Sequence, residues 1–507
     1  MTDGVTFALT GAKRSSVAAA KTILARSVEV DDPALAQRIP GVGDWRHDYA
    51  AAFTEITRLE ASSPEAAVRI AERGLAAVAE VMCFATDDGD QPLAHALAVD
   101  APVFETVEVQ GSTPREDELI VNYRGRALRG DALLAQLDDF VARGITEPSF
   151  AEAVGAVVRN PGWLDLRGRT FAVIGAGSAM GPFPQLMKWG ATVAAVDLPR
   201  PATWYRLASV AAGGAGRLLG PARAGAGSGI ETCGANLLTE VGPIARWLAT
   251  APGPLTLGNY SYADGALFVR LSVAVDLVIE HIRRARDDVS LAYLASPADV
   301  FTVPVDAVVE ARRRFATPRP VNIAARGIHA ATKGRIARPN YSDASIITTA
   351  TGQYGLLDAI ITEQGPNYVL AKRLQRWRME ETRAHGLLTS VHVAPPTRTA
   401  SVTNNPAMAA RQLATAHLGI ETFDSEATEA LAGAVLVHDL NNPDSPANPS
   451  SILNHPLESF HFAANPGGRW RIALDVSSSL PAVDSLSSAA GTGRNAVNWV
   501  RGRARRR

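Results

Sequence analysis

Residues 170–181 read TFAVIGAGSAMG, an apolar run followed by a glycine-rich turn. The run has the composition of a buried strand, and the residues after the turn predict a helix that ends near Gly190. Gly175 permits a tight turn out of the strand, Gly177 permits close approach of a ligand to the backbone, and Gly181 permits helix and sheet to pack together. The stretch therefore predicts a strand–turn–helix unit whose N–H groups favour a phosphate.

A second strand-like run, Thr192–Val196, is closed by Asp197, 22 residues after Gly175. A carboxylate at this place can accept hydrogen bonds from adenosine ribose hydroxyls and would repel a 2′-phosphate. The pattern predicts a nicotinamide dinucleotide site that favours NAD(H) over NADP(H), while Arg200 keeps NADP(H) open. On the turn we assign cofactor contacts to Gly175, Ala176, Gly177, Ser178, Met180 and Gly181.

Strand-like runs alternate with helical segments through the middle of the chain, at 170–174, 192–196, 255–257, 289–294 and 389–393. Such alternation predicts an α/β fold with a doubly wound parallel sheet, the Rossmann architecture. We assign this fold to residues 161–420, interrupted by an Arg- and Pro-rich insertion at about 300–343.

Two further regions flank the predicted Rossmann domain. Residues 1–160 predict an additional, mainly helical N-terminal α+β domain, with helices at 64–83, 133–141 and 150–158 and strands at 103–109 and 119–123. Residues 421–507 form a C-terminal extension, which we interpret as a lid over the site followed by a basic tail from 494 to 507.

Composition narrows the class of protein. A hydrophobic content of 47% with 20% charged residues predicts a globular chain with a large core, and a net charge of −1 gives no reason to expect nucleic acid as a partner. Cys83 and Cys233 are too few for a disulfide framework. Because there is neither a signal peptide nor an apolar run of about 18 residues, we expect a cytoplasmic protein without a membrane span. We further expect a small-molecule substrate and assembly as a homo-oligomer.

The histidines do not have the spacing of a metal site. Ten are present, and none forms His-x-x-x-His or His-Glu-x-x-His. We therefore expect no bound metal.

Residues 367–372 read NYVLAK, which on a helix places Tyr368 and Lys372 one turn apart on one face. An ammonium group favours the phenolate, so Lys372 is expected to lower the pKa of Tyr368 from its usual value near 10. With nine tyrosines and only five lysines in the chain, this spacing is uncommon by chance. The pair indicates carbonyl–alcohol chemistry, in which Tyr368 transfers the proton and Lys372 also holds the ribose. On the same helix we expect Trp377 to serve packing, and Arg373, Arg376 and Arg378 to be solvated.

The glycine turn and the Tyr–Lys pair together resemble the short-chain dehydrogenase/reductase (SDR) superfamily, as a divergent member, over about residues 165–405. The family turn, Thr-Gly-x-x-x-Gly-x-Gly, is matched with Ile174 in place of Thr and Ala179 in place of the middle Gly. The resemblance implies further cofactor contacts at Asn236, which stands where the family contacts adenine, at Asn259 after the fourth strand, and after the sixth strand at Pro395, Thr397 and Thr399.

The resemblance also implies a catalytic serine at the end of the fifth strand, about a dozen residues before the tyrosine. Gly355 stands thirteen residues before Tyr368 and cannot serve. Ser296, at the end of the run 289–295, is the better match; it lies 72 residues before Tyr368, which requires the insertion to loop out. Thr348, Thr349 and Thr351 are the alternatives.

By the same resemblance the chain is expected to be an NAD(P)-dependent oxidoreductase. It would interconvert a carbonyl and an alcohol, or reduce a related unsaturated group, on a fairly large small molecule. Tyr368, Lys372 and Ser296 are the expected catalytic residues, and Asp343, Gln353, Asp358 and Gln364 are candidates for substrate contact. Two alternatives stay open: a same-fold epimerase or dehydratase with tightly bound NAD, and a non-catalytic cofactor-binding or scaffold protein.

Overall fold

The computed structural model describes residues 4–99, 104–404 and 406–480. The segment up to residue 160 is mainly helical, as predicted, and the basic tail lies outside the described residues. Its helices are α1 (Ser16–Val28), α2 (Pro33–Arg38), α3 (Trp45–Glu60), α4 (Pro64–Val81), α5 (His95–Ala98), α6 (Gly130–Arg143) and α7 (Pro148–Arg159). Its strands are β1 (Gly4–Phe7), β2 (Leu9–Thr10), β3 (Lys13–Arg14), β4 (Met82–Thr86), β5 (Gly89–Pro92), β6 (Glu105–Gln110), β7 (Val121–Tyr123) and β8 (Arg126–Leu128).

A mainly parallel sheet forms the centre of the molecule and confirms the predicted α/β class. Its strands after residue 160 are β9 (Thr170–Ile174), β10 (Thr192–Val196), β11 (Arg217–Ala222), β12 (Leu255–Asn259), β13 (Val289–Ala295) and β17 (Thr389–Val393). The strand order is β17-β13-β12-β9-β10-β11-β6, in which only β6 is antiparallel. Chain direction across the sheet reverses between β9 and β12, which is where doubly wound sheets bind ligands.

The sheet is buried on both faces, because successive side chains of each strand point to opposite sides. Along β9, Ala172 and Ile174 join a core with α1, α3, α4, α10 (Val241–Ala249), α11 (Ala266–Ala285) and α14 (Pro366–Ala384). Phe171 and Val173 join a second core with α6, α7, α8 (Phe183–Lys188), α9 (Pro201–Ala212) and α17 (Ser425–Asn441). Helices from the first 160 residues thus cover both faces; the division of the chain at residue 160 stays a prediction.

One parallel strand was missed at the sequence level. Residues 217–222 read RLLGPA, and a Gly–Pro pair normally argues against a strand. In the structure this strand, β11, is flanked by β10 on one side and by the antiparallel β6 on the other.

The segment between β13 and α14 contains a small antiparallel sheet and two helices. The sheet has the order β14-β16-β15, with β14 (Val300–Pro304), β15 (Ile346–Thr349) and β16 (Gly352–Asp358). The helices are α12 (Val305–Ala316) and α13 (Pro320–Ala331). The added structure continues to Asp358, beyond the predicted end near 343, because β16 pairs back onto β14.

The chain after β17 returns to the carboxyl edge of the sheet. It forms β18 (Thr397–Arg398), α15 (Ala400–Thr403), α16 (Pro406–Ala416) and β19 (Phe423–Asp424) before α17. Beyond α17, the N–H of Asn465 donates to the carbonyl of Val393 at the end of β17, over 2.9 Å. Within the described ranges, no helix combines the length and apolar character needed to cross a membrane.

Candidate functional site

The glycine turn leaves β9 at the point where the sheet reverses direction. Gly175 has a φ of +81°, and a Cβ atom there would lie 2.7 Å from the backbone nitrogen of Ser261, after β12. Gly181 has more space, since the nearest atom to a Cβ would be 3.6 Å away. The helix that follows, α8, starts at Phe183 and ends at Lys188. Pro182 and Pro184 restrict where this helix can start, because both lack the backbone N–H that helical hydrogen bonding needs.

Two backbone amides of this turn are available to a ligand. The N–H groups of Ala179 and Met180 have no hydrogen-bond partner among the described residues, whereas that of Ser178 donates to the carbonyl of Gly175. The site lacks side-chain bulk at Gly175 and Gly177. Free amides beside a glycine backbone suit the oxygens of a pyrophosphate.

Asp197 lies directly beside the turn. Its Oδ2 accepts from the N–H of Gly177 over 2.7 Å, and its Oδ1 accepts from the N–H of Leu198 over 2.8 Å. A carboxylate has about four acceptor positions, so it can also receive ribose hydroxyls. Arg206, on α9, donates to the carbonyl of Gly177 over 2.9 Å. Sequence reasoning missed this arginine, because no spacing rule ties it to the turn.

The loop after β12 connects the turn to the Tyr–Lys helix. Asn259 accepts from the N–H and the hydroxyl of Ser261 through Oδ1, which shapes this loop. Three residues on from Asn259, the ring of Tyr262 stands 6.4 Å from that of Tyr368, and the ring of Phe268 stands 5.6 Å from it. The glycine turn and Tyr368 therefore share the carboxyl edge of the sheet.

Ser296 and Tyr368 are brought together despite their separation in the chain. Ser296 directly follows β13 and is buried, and α14, which carries Tyr368, begins after the added sheet and turn. Hydrogen bonds from Ser296 and from Gln364 to the phenol both lower the pKa of Tyr368. The alternatives contact one another instead: Thr349 and Thr351 share a 2.9 Å hydrogen bond, and Thr348 accepts from Gln353.

Burial sets the protonation of Tyr368. It raises the pKa of the phenol to about 12, and the carboxylate of Asp299 acts in the same direction. The sequence predicts that Lys372 lowers the pKa of Tyr368, but Lys372 does not contribute to this shift. The net shift is upward because desolvation of the phenolate outweighs the hydrogen bonds that favour it. At neutral pH Tyr368 is therefore a protonated phenol, able to donate.

Lys372 lies one turn further along α14, against β13. Its Nζ donates to the carbonyl of Leu294 and to Oε1 of Gln375, each over 3.2 Å. The ammonium also lies over the rings of Tyr293 and Phe268, at 5.3 and 5.7 Å from their centroids. Burial lowers the pKa of Lys372 to about 8, against the opposing effect of Asp299.

The remaining predicted cofactor residues have local partners. The Oδ1 of Asn236 accepts from the N–H of Leu238 within its own turn. Pro395 is buried, and the hydroxyl of Thr397 donates to its carbonyl and also bonds Thr428 on α17. The carbonyl of Thr399 accepts from the N–H groups of Val402 and Thr403. Their roles toward a cofactor stay predictions.

The arginines of α14 are buried, which corrects the expectation that they are solvated. Arg373 and Arg376 both pair with Glu60 of α3 and with Asp299, and the indole N–H of Trp377 donates to Glu60 over 2.7 Å. Arg378 pairs with carboxylates of α11 and of its own helix. Alternating charge on a helix indicates a solvated face unless another element supplies oppositely charged partners. Here α3, α11 and the turn after Ser296 supply carboxylates to the arginines of α14.

Two further observations define the surroundings. A small cavity of about 40 Å³ lies between α7, α17 and β17, and Tyr368 is not among its lining residues. In the parts of the chain that the structure describes, no three His, Cys, Asp or Glu side chains are grouped so as to hold a metal ion.

Comparison with known proteins leaves the family open. No protein-family model and no curated protein matches the chain. Among solved structures, the chain is similar to a thiolation-reductase di-domain from an archaeal non-ribosomal peptide synthetase, with 11% sequence identity and a TM-score of 0.28. The match covers 55% of this chain and 54% of that one, so the chain spans about half of its neighbour's length.

Proposed function

We propose that this chain is an NAD(P)-dependent oxidoreductase of the SDR type, which interconverts a carbonyl and an alcohol on a fairly large small molecule. The observation that carries the proposal is that the turn after β13 brings Ser296 to the phenol of Tyr368, on the helix that also carries Lys372 one turn further on. These residues lie at the same sheet edge as a glycine turn with two free amides. The strand order also agrees with the resemblance, because the Tyr–Lys helix follows the fifth parallel strand.

Each residue has a defined role in this proposal. A reduced nicotinamide, when bound, supplies the hydride for the carbonyl carbon. Tyr368 donates its phenolic proton to the carbonyl oxygen, and its pKa of about 12 keeps that proton available at neutral pH. Ser296 orients the phenol and the substrate oxygen. Lys372 has one N–H left after its two hydrogen bonds, and this N–H can hold a ribose hydroxyl.

We further propose a preference for NAD(H). Asp197 places a carboxylate beside Gly177, where a 2′-phosphate would be repelled. Arg206 lies next to the same glycine and is the residue most suited to lessen that repulsion. We expect Asp197→Asn to narrow the difference between the NADH and NADPH dissociation constants, and Arg206→Gln to widen it.

The cofactor assignment is tested first by fluorescence titration of the full chain with NADH and NADPH. Binding of at least one cofactor below millimolar concentration is expected, and no binding of either would remove the proposal.

Catalysis is tested next, by loss of NADH absorbance with a panel of aldehydes and ketones. For any substrate found, Tyr368→Phe should abolish turnover and leave NADH affinity nearly unchanged, because only the proton donor is removed. Ser296→Ala should reduce turnover by about ten- to a thousand-fold. Retained turnover in Tyr368→Phe would remove that residue as the acid.

The contact between Ser296 and Tyr368 supports catalysis over a non-catalytic cofactor-binding role, since a scaffold does not need this pair. An epimerase or dehydratase would instead purify with NAD bound and consume none during turnover. Assembly as a homo-oligomer and a cytoplasmic location remain predictions.

A further inference from the structure

Arg469 is a buried cation without a counter-charge. It is 6% exposed, and its Nε is enclosed with no hydrogen-bond partner. Among the described residues, no carboxylate forms an ion pair with its guanidinium. Asp358 and Asp475 act on it only from a greater distance, and Asp475 already pairs with Arg338 over 3.1 Å.

Arg411 is a second buried arginine with unused capacity. Its side chain is 9% exposed, and its Nη1 donates to both carboxylate oxygens of Glu363, over 2.6 and 2.8 Å. Its Nη2 is buried and has no hydrogen-bond partner. Its positive charge acts on Arg469: together with burial, it lowers the pKa of Arg469 to about 10, so Arg469 remains a cation at neutral pH.

Both arginines are linked through their neighbours in the chain to the region of Ser296 and Tyr368. The partner of Arg411, Glu363, precedes Gln364, which hydrogen bonds Tyr368. Arg469 closes a short turn that begins at Asn465, whose N–H is bonded to the end of β17. In the sheet, the last residue of β17 is paired with Ala295, and Ser296 follows.

Two buried cations that act on each other, of which only Arg411 has a paired carboxylate among the described residues, are unfavourable unless a ligand supplies negative charge. A guanidinium presents its N–H groups in a planar fork that matches the oxygens of a carboxylate or a phosphate.

We propose that Arg411 and Arg469 bind an anionic group of the substrate, a carboxylate or a phosphate, and so hold its reacting carbonyl or alcohol at Tyr368. The identity of this ligand as substrate rests on the proposed oxidoreductase function; the anion site itself does not.

The site is tested apart from turnover by thermal unfolding of the full chain. Inorganic phosphate and, separately, acetate are compared with sodium chloride at equal ionic strength. At least one of the two should raise the midpoint of the wild-type chain by about 1–2 °C, and the shift should vanish in Arg469→Met and Arg411→Gln. The matched control is Arg313→Gln, which removes an arginine that is 70% exposed and paired with Glu310, and it should keep the shift.

Stability without added anion separates a binding role from a structural one. Because Arg469 is unpaired, Arg469→Met should unfold at the wild-type midpoint or above it. The proposal is overturned if neither anion stabilises the wild-type chain beyond chloride, or if Arg469→Met and Arg411→Gln are stabilised as much as the wild type. If Arg469→Met does not fold, Arg469 has a structural role, which contradicts this expectation. Arg411→Gln then still reports on anion binding.

The substrate assignment is tested by pairs of carbonyl compounds that differ only in a free acid or its methyl ester. The acid should have a KM about ten- to a hundred-fold lower than the ester, and Arg469→Met should remove the difference. If NADH does not bind, while phosphate stabilises the wild-type chain and not Arg469→Met or Arg411→Gln, the proposed function fails and the anion site stands. If NADH binds and neither anion stabilises the chain, the anion site fails and the proposed function stands.

Discussion

At the scale of single residues, burial controls the chemistry of the site. It moves the pKa values of Tyr368 and Lys372 in opposite directions, because desolvation disfavours the phenolate and also the ammonium. Tyr368 is thus kept protonated over the whole physiological range. Lys372 is the member of the pair whose charge changes near neutral pH.

Carbonyl reduction should therefore depend on pH through Lys372. Its pKa is lowered from 10.5 to about 8, so the ammonium, which we propose holds the ribose, is present below that value and is lost as pH rises through it. We expect kcat/KM for reduction to fall above about pH 8. NADH affinity of Tyr368→Phe, measured over the same pH range, should fall in parallel, and a flat profile up to pH 10 would contradict the assignment.

Gly175 is the residue of the turn that tolerates substitution least. Its φ of +81° and the 2.7 Å distance from a Cβ to Ser261 both oppose a side chain. Gly175→Ala should cost about 2 kcal/mol or more in the free energy of unfolding and weaken NADH binding. In the control, Gly162→Ala, a Cβ would meet nothing within 4 Å, and both measurements should stay near wild type.

At the scale of elements, the Tyr–Lys helix is held by an ionic network with the N-terminal region. Glu60, at the end of α3, is fully buried and pairs with Arg373 and Arg376 of α14. Asp299, three residues after Ser296, joins the same arginines. Next to it, α4 approaches α14 at Gly74, where a Cβ would lie 2.2 Å from the ring of Trp377. The network thus ties the serine turn, α3 and α14 together.

Glu60→Gln should be strongly destabilising, by about 3–5 kcal/mol, because it leaves two buried guanidinium groups short of charge. Glu55→Gln, on the same helix, breaks only an exposed pair with Arg38 and should cost less than about 1 kcal/mol. Urea unfolding of both variants measures their free energies of unfolding. Equal losses in the two variants would show that the buried network adds nothing to stability.

At the scale of the whole molecule, two hydrophobic cores enclose the sheet, and several histidines are buried with them. His392 lies on β17 and donates from Nδ1 to the carbonyl of Ala463, and His461 forms a hydrogen bond with Thr302 of the added sheet. Burial lowers the pKa of His392 to about 4 and that of His461 to about 3. Both histidines are neutral in the folded protein at neutral pH.

These histidines should make folding sensitive to acid. Their folded-state pKa values lie below the ordinary 6.5, so the unfolded chain binds more protons and stability is lost as pH falls from 6.5 toward about 4. Each contributes up to about 1.4 kcal/mol per pH unit in that window. Urea unfolding at several pH values should show a shallower dependence in His392→Gln, whereas His47→Gln, with a 77% exposed side chain, should match wild type.

The local sequence determined those features that depend on neighbours along the chain. Largely apolar runs predicted β9 and β10 at their observed bounds, since strands buried on both faces are rich in apolar residues. The run at 389–393 also predicted β17 at its observed bounds, although it contains Ser390 and His392. The glycine turn, the acid at the next strand end and the Tyr–Lys spacing were likewise readable, because strand ends and helical periodicity place such residues without reference to the rest of the fold.

Only the tertiary structure decided the features that depend on distant partners. It placed Ser296 at Tyr368 across a long insertion, and it completed the sheet with β11 and the antiparallel β6. It also buried the arginines of α14 against Glu60, and left Arg469 buried with no carboxylate paired to it among the described residues. The sequence does not show whether a charged residue is solvated, paired or unpaired in the interior, because its environment is formed by residues that can be hundreds of positions away.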